Sequence, residues 1–331
     1  MRRLGVAALT LALGCADLLL EPDPPNDPMA LFDELWMEFD RYYSHFEIKN
    51  IDWAAVGAEH RTHITPTSTD AQLFTLLSDM LDVLQDGHVN LWTPIGTYEW
   101  DGWFAPYPES FVAARTNQYL TSAGVAAGGV RWGHIGADVG YIHIATFEDP
   151  RMVAEFDDAL AALSGVRGIV VDVRHNGGGS STRAATIANR FADAAYHYQT
   201  VRYRNGPSHT DYTPPRQDSV RPDRVAWRGP VVLLTNRRVF SAAETFVLAM
   251  RVLPQVIVVG DTTGGGSGNP ITRELSNGWV YRVPRWIVRT PEGNTYEGVG
   301  LGPDVWVQFD PADASVKGDP ILDTALIHLA R

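Results

Sequence analysis

The chain has 331 residues, 45% hydrophobic and 20% charged, which is enough apolar material for one large domain or two smaller ones. A formal net charge of −12 with no Lys/Arg run argues against nucleic acid as a partner. Cys15 is the only cysteine, which excludes an intrachain disulfide, and Lys49 and Lys317 are the only lysines.

The first segment has two arginines, an apolar run from Leu4 to Leu13, and then Gly14-Cys15. The run is shorter than the ~20 apolar residues a bilayer span needs, and it has the n-region and h-region of an export signal. It resembles a bacterial lipoprotein signal covering residues 1–15, which implies cleavage before Cys15, lipidation of its thiol and a membrane anchor in the cell envelope, on the periplasmic face. An ordinary secretory signal is the alternative, and both readings send the chain out of the cytoplasm. Residues 16–28 include "EPDPPNDP", whose prolines and acids read as an extended tether.

Asp27-Pro28 can cap and open a helix. In "MALFDELWMEFDRYY" apolar residues recur at three and four, which predicts one buried face. A second helix is predicted from Thr69, with capping-box spacing to Gln72, as far as Gly87. Residues 29–90 therefore read as a helical lobe, and 91–331 as an α/β core. There, "VGYIHIATF", "RGIVVDVR", "GPVVLLTN" and "QVIVVGD" are short β-branched runs, with helices predicted at 181–192 and 241–252.

Two strand-to-helix junctions carry chemistry. In "DVRHNGGGSS" three glycines let the backbone turn sharply and expose its N–H groups; a plain Gly-rich turn is the alternative. In "RRVFSAAETFVLAM" Ser241 opens a helix. Ser241 and Glu244 fit a capping box, while a serine at a helix N-terminus is equally placed to attack a carbonyl whose oxyanion the free N–H groups stabilise.

"DVRHNGGG", "VFSAAETFVLAM", "GDTTGGG" and "EGVGLGPDV", in that order, resemble the tail-specific (C-terminal processing) and tricorn-core serine peptidase family. "LFDELWMEFDRYY" and "LQDGHVNL" resemble its helical N-terminal part. The resemblance implies an α/β fold: a spiral core related to the crotonase and Clp-protease architecture, with an N-terminal helical lobe. One branch of the family uses a lysine base in a segment like G-x-x-T-x-G-K-G. Here Gly260 to Gly268 has no lysine, and neither Lys49 nor Lys317 lies in a matching motif. The tricorn-like branch implies Ser241 as nucleophile, His88 as general base and Glu297, three residues before Gly300, as the group that orients His88, directly or through a water. The oxyanion hole then falls to the N–H groups of Ala242 and Gly178. His175 is a weaker candidate base. In tricorn peptidase a serine precedes the histidine, where this chain has Gly87.

The resemblance implies hydrolysis of exported polypeptides or peptides through an acyl-enzyme, with no metal or other cofactor. A catalytically silent binding protein of the same fold, and a hydrolase of non-peptide esters or amides, are the rivals. The segment from Leu91 to Arg131 is too short for the PDZ domain many members insert there. Its aromatics, Trp92 to Phe111, read as a packing flap or as the lining of a cleft. A histidine base near its ordinary pKa of ~6.5 would make activity rise through roughly pH 6 to 7.5. The oligomeric state is not legible.

Overall fold

The computed structural model describes residues 27–224, 227–313 and 315–330. The signal-like segment, Cys15 and most of the tether lie outside the described residues. Among those described, no helix is long and apolar enough to cross a membrane.

The first helix runs Pro28–Tyr42 and is capped as the sequence predicts, with the Asp27 carboxylate accepting from the Met29 and Ala30 N–H groups at 3.0 Å. The second predicted helix spans Asp70–Asp82, and Thr69 and Gln72 form the reciprocal box. It stops short of Gly87, because Gln85 takes a positive φ of 44° and the chain turns there. Residues 85–88 are consequently a tight turn rather than the end of a helix.

The boundary drawn at residue 90 does not follow the packing. Leu35, Phe39, Leu73, Leu77 and Met80 share their core with Leu91, Leu275, Trp279 and Tyr281. The helices are therefore closed over by a four-stranded sheet in the order Ile271–Glu274, Val280–Val283, Asn90–Thr93, Gly96–Glu99. One helical face has too little partner surface alone, and a strand pair from nearly two hundred residues downstream supplies it.

The central sheet has seven strands, in the order Val305–Trp306, Val256–Gly260, Val231–Thr235, Gly168–Asp172, Val139–Ile144, Val130–Ile135 and Ser122–Val125. Its first five strands are parallel, and the last two pair antiparallel. Alternate side chains settle opposite faces. Ile169, Val171, Leu233 and Val258 pack with Phe156, Ala184 and Phe246 from helices Met152–Ala162, Ser181–Ala188 and Ala242–Arg251. Val170, Val232, Leu234 and Val259 pack under the final helix, Pro320–Leu329, through Ile321, Leu322 and Ala325. Burial on both faces explains why these strands read as unbroken apolar runs. The carboxyl ends of the parallel strands all empty toward one side, where loops can meet.

One buried ionic knot fixes that side. The Arg174 guanidinium is fully buried and donates to Asp172 (2.6 and 2.9 Å) and to Asp319 (2.8 and 2.9 Å). Asp319 also caps the final helix, accepting from the Leu322 N–H. The strand end just before the glycine turn is thereby tied to the helix beneath the sheet.

Candidate active site

The strand Val231–Thr235 passes through a five-residue turn, Asn236 to Phe240, to Ser241 at the corner and into helix Ala242–Arg251. Ser241 has φ 57° and ψ −124°, a region that residues with a Cβ rarely occupy. The helix is capped through the backbone of this residue: Glu244 accepts the Ser241 N–H at 3.1 Å, and the Ser241 carbonyl accepts the Glu244 N–H at 2.9 Å. Capping does not therefore require the hydroxyl. Ser241 lines a cavity of about 400 Å³ that His88, Ala242, Gly177, Gly179, Ser267 and Arg282 also line.

Glu244 holds a second loop in place. Its carboxylate accepts from Thr263 Oγ1 and from the Gly265 and Gly266 N–H groups at 2.5 to 2.8 Å. Burial pushes its pKa up to about 8 against the pull of these donors. Laid on the lysine-type pattern from Gly260 and Thr263, the lysine position falls at Gly266. No side chain fits there, since a Cβ would stand 1.9 Å from the Phe240 ring.

The glycine turn packs against the serine corner, backbone to backbone. A Cβ on Gly178 would lie 2.8 Å from the Phe240 carbonyl and 2.9 Å from the Ala242 nitrogen, and its φ of 108° suits glycine. Its N–H, however, turns back to Asn176 Oδ1 at 2.9 Å. This corrects the expectation that Gly178 faces the oxyanion. Among the described residues no acceptor takes the N–H of Gly179 or of Ala242, and both residues line the cavity. His175 points elsewhere, with Nε2 3.0 Å from Glu109 in the flap.

His88 is buried, its ring 4.6 Å from that of Phe240, and its backbone N–H is held by Asp86 Oδ1 at 2.9 Å. Burial depresses the His88 pKa to about 4; Asp86 and the Ser267 carbonyl work the other way, while the charges of Arg282 and His45 add to the depression. The ring is therefore neutral across the neutral range, as a base must be. The acid limb of kcat/KM should then lie near pH 4 and not at pH 6 to 7.5. A fluorogenic-peptide profile from pH 3.5 to 9, with circular dichroism confirming the fold at each point, checks this, and a midpoint above pH 6 would contradict it. Because the folded-state pKa lies below that of an unfolded histidine, this group also lowers stability progressively as pH falls from about 6.5 toward 4.

Glu297 makes no direct hydrogen bond to His88. Its Oε2 accepts from the Ser267 N–H and hydroxyl at 2.7 and 2.9 Å, and its Oε1 lies 3.3 Å from Lys49 Nζ and 3.6 Å from His45 Nδ1. His88 Nδ1 is buried with no hydrogen-bond partner among the described residues. Two routes nonetheless run from Glu297 to His88. Ser267 turns its carbonyl toward the His88 ring, and Lys49 donates to the Gln85 carbonyl at 2.9 Å, in the turn that carries His88.

Sequence reasoning missed most of this cluster. His45 Nδ1 meets Asp86 at 3.2 Å, and Tyr43 donates to the same carboxylate at 2.9 Å. Burial opposes a charged His45, yet Glu297 and Asp86 raise its pKa, and Lys49 and His45 hold Asp86 far below the usual range in spite of burial. His45, Asp86 and Glu297 present donor atoms within 4.8 Å of one another, a set that could hold a cation. Lys49 beside Glu297 already supplies positive charge there. The one signal in the sequence was the scarcity of lysine.

The aromatic stretch proves to be a flap. Phe104 and Tyr107 lie over Arg238 and Arg237, and Trp103 alone reaches the cavity, stacked on Phe240 at 4.1 Å. Gly87 has no room for a side chain, because a Cβ would meet Trp103 at 2.7 Å and Phe240 at 2.9 Å.

Residues 138–307 match Peptidase family S41, and residues 24–82 match the Tricorn protease C1 domain. The crystal structure of a candidate peptidase from Parabacteroides merdae superposes with a TM-score of 0.85 at 33% identity, over 93% of this chain and 98% of that one. Carboxy-terminal processing protease CtpA of Bacillus subtilis is 27% identical over 172 residues, 51% of this chain and 34% of the relative. The chloroplastic C-terminal processing peptidase of Tetradesmus obliquus is 29% identical over 195 residues, 58% of this chain and 40% of the relative. The match thus spans between a third and two fifths of these curated relatives' length.

Proposed function

The chain belongs to peptidase family S41, and from that premise we propose that it is a serine peptidase in which Ser241 attacks a peptide carbonyl and His88 takes its proton. His88 then returns the proton to the leaving amine. The observation that carries this reading is Ser241, on a strained corner, opening onto the same cavity as a buried neutral histidine and two unengaged N–H groups. Those groups, on Ala242 and Gly179, would hold the oxyanion, each worth about 3 kcal/mol of barrier. Gly178 serves by its lack of a side chain. A polypeptide substrate fits better than a small ester, because the cavity continues past Gly179, Ser181, Asn269 and Trp286 into a hollow of about 720 Å³ along strands Tyr196–Tyr203 and Arg216–Val220. The signal-like segment and Cys15 support action on exported polypeptides at a membrane-anchored site.

A fluorophosphonate probe should label Ser241 at neutral pH, with the adduct located by peptide mass spectrometry. A folded chain that takes up no probe, or takes it up elsewhere, would refute the serine mechanism.

Glu297 is assigned a positioning role through Ser267 and Lys49. Glu297→Gln should lower kcat about 10- to 100-fold with little change in KM, and leave the acid limb of the pH profile where it was. A limb displaced by more than half a unit would mean that the carboxylate acts on the imidazole directly.

A further inference from the structure

One charged group in the cavity is left over by this mechanism. Arg282 lies on strand Val280–Val283, half-buried, and among the described residues is the only arginine or lysine lining the cavity. Its backbone is paired in the sheet, but its guanidinium makes no hydrogen bond or ion pair with any described residue. The surrounding acids are otherwise placed. Asp86 is held by Tyr43, His45 and the His88 N–H. Glu99 sits two strands away in the row Thr272, Arg282, Asn90, Glu99, and Glu148 lines the same cavity but stands exposed at its rim; the charges of all three acids reach Arg282 without direct contact, and burial still pushes its pKa down. On the adjacent strand Arg273, by contrast, is paired with Glu38.

A guanidinium partly withdrawn from water without an anion is unfavourable, and the arrangement becomes favourable when an anion arrives with the ligand. The fork of N–H groups matches a carboxylate in two-pronged fashion. Its side of the cavity is defined as well. Arg282 faces Asn90, two residues beyond His88, and its charge is felt by the His88 ring. His88 protonates the departing amine, so this wall borders the leaving segment of the substrate.

We propose that Arg282 is a specificity-determining residue that binds a carboxylate on the leaving-group side of the scissile bond. Two sources share that chemistry: the terminal carboxylate of a short leaving segment, and an Asp or Glu side chain within a longer one. The inference rests on the peptidase reading above and sharpens its substrate class.

The test uses an N-acetylated nonapeptide library in matched sets, C-terminal acid against C-terminal amide, and Asp/Glu against Asn/Gln in the three positions after the cleaved bond. Wild type should cleave carboxylate-bearing members of one set with kcat/KM at least about tenfold above their amide counterparts. The set that shows the ratio identifies the source. Arg282→Gln should bring the ratio to within twofold, and Arg282→Lys should retain part of it. Equal ratios in wild type, or a preference that survives Arg282→Gln, would overturn the proposal. The same peptides are also titrated into Ser241→Ala protein by calorimetry. A chain that cleaves nothing then counts against the peptidase reading alone, while acid and amide forms that bind alike, or fail to bind alike, count against Arg282.

Discussion

Replacing Ser241 with alanine should lower kcat/KM on a cleaved peptide by at least about ten-thousandfold, while the thermal midpoint stays within a few degrees of wild type. The activity loss follows because, of the cavity's hydroxyls, that of Ser241 alone stands on the strained corner immediately before the unaccepted Ala242 N–H, in the cavity that His88 also lines. The fold should survive because the helix cap runs through the Ser241 backbone and Glu244, both of which alanine preserves. His88→Ala should be nearly as damaging, and the double variant little worse than either, since a nucleophile without its base and a base without its nucleophile are equally idle. Steady-state kinetics on the three variants decides the matter. Losses that multiply in the double variant would mean that the two residues do not act as a unit.

The largest effect on stability should come from Arg174→Leu. This change leaves the Asp172 and Asp319 carboxylates buried together without their shared cation, which costs about 3 to 5 kcal/mol. The pH dependence gives the cause away. In the native protein burial works against ionised Asp172, but Arg174 overcomes it and holds the pKa low. That contribution is present above the unfolded carboxyl pKa of ~3.9 and is lost as acid protonates the folded state. Without Arg174, burial prevails, the folded pKa rises above the unfolded one, and stability should fall as pH climbs from about 5 to 8. Urea melts at those two values measure it. A variant equally stable at both would show that the knot is not electrostatic.

What the sequence made legible followed local rules. Asp27-Pro28 and Thr69-x-x-Gln72 announced helix starts, the apolar runs announced doubly covered strands, and the two strand-to-helix corners announced where chemistry would gather. His88 and Ser241 share a cavity as the motif order implied. The largest failure was a matter of distance along the chain. Glu297 finds Ser267 thirty residues back and Lys49 nearly two hundred and fifty residues back, and no periodicity encodes such a meeting. Gly178 was misjudged because Asn176, two residues before it, competes for its N–H, a contest decided by turn geometry. Arg282 was invisible, because one arginine among many in a strand gives no sign that it will be left without a partner.

The indole of Trp103 lies where a side chain at position 87 would project, and the Phe240 ring closes on the same space. A serine at position 87 would have to displace both rings, and Phe240 is the ring that packs against His88. The packing of this chain and one with a serine before the histidine are therefore mutually exclusive solutions, separated by a rearrangement of two aromatic side chains and not by one substitution. The Ser267 and Lys49 contacts of Glu297 do not depend on position 87.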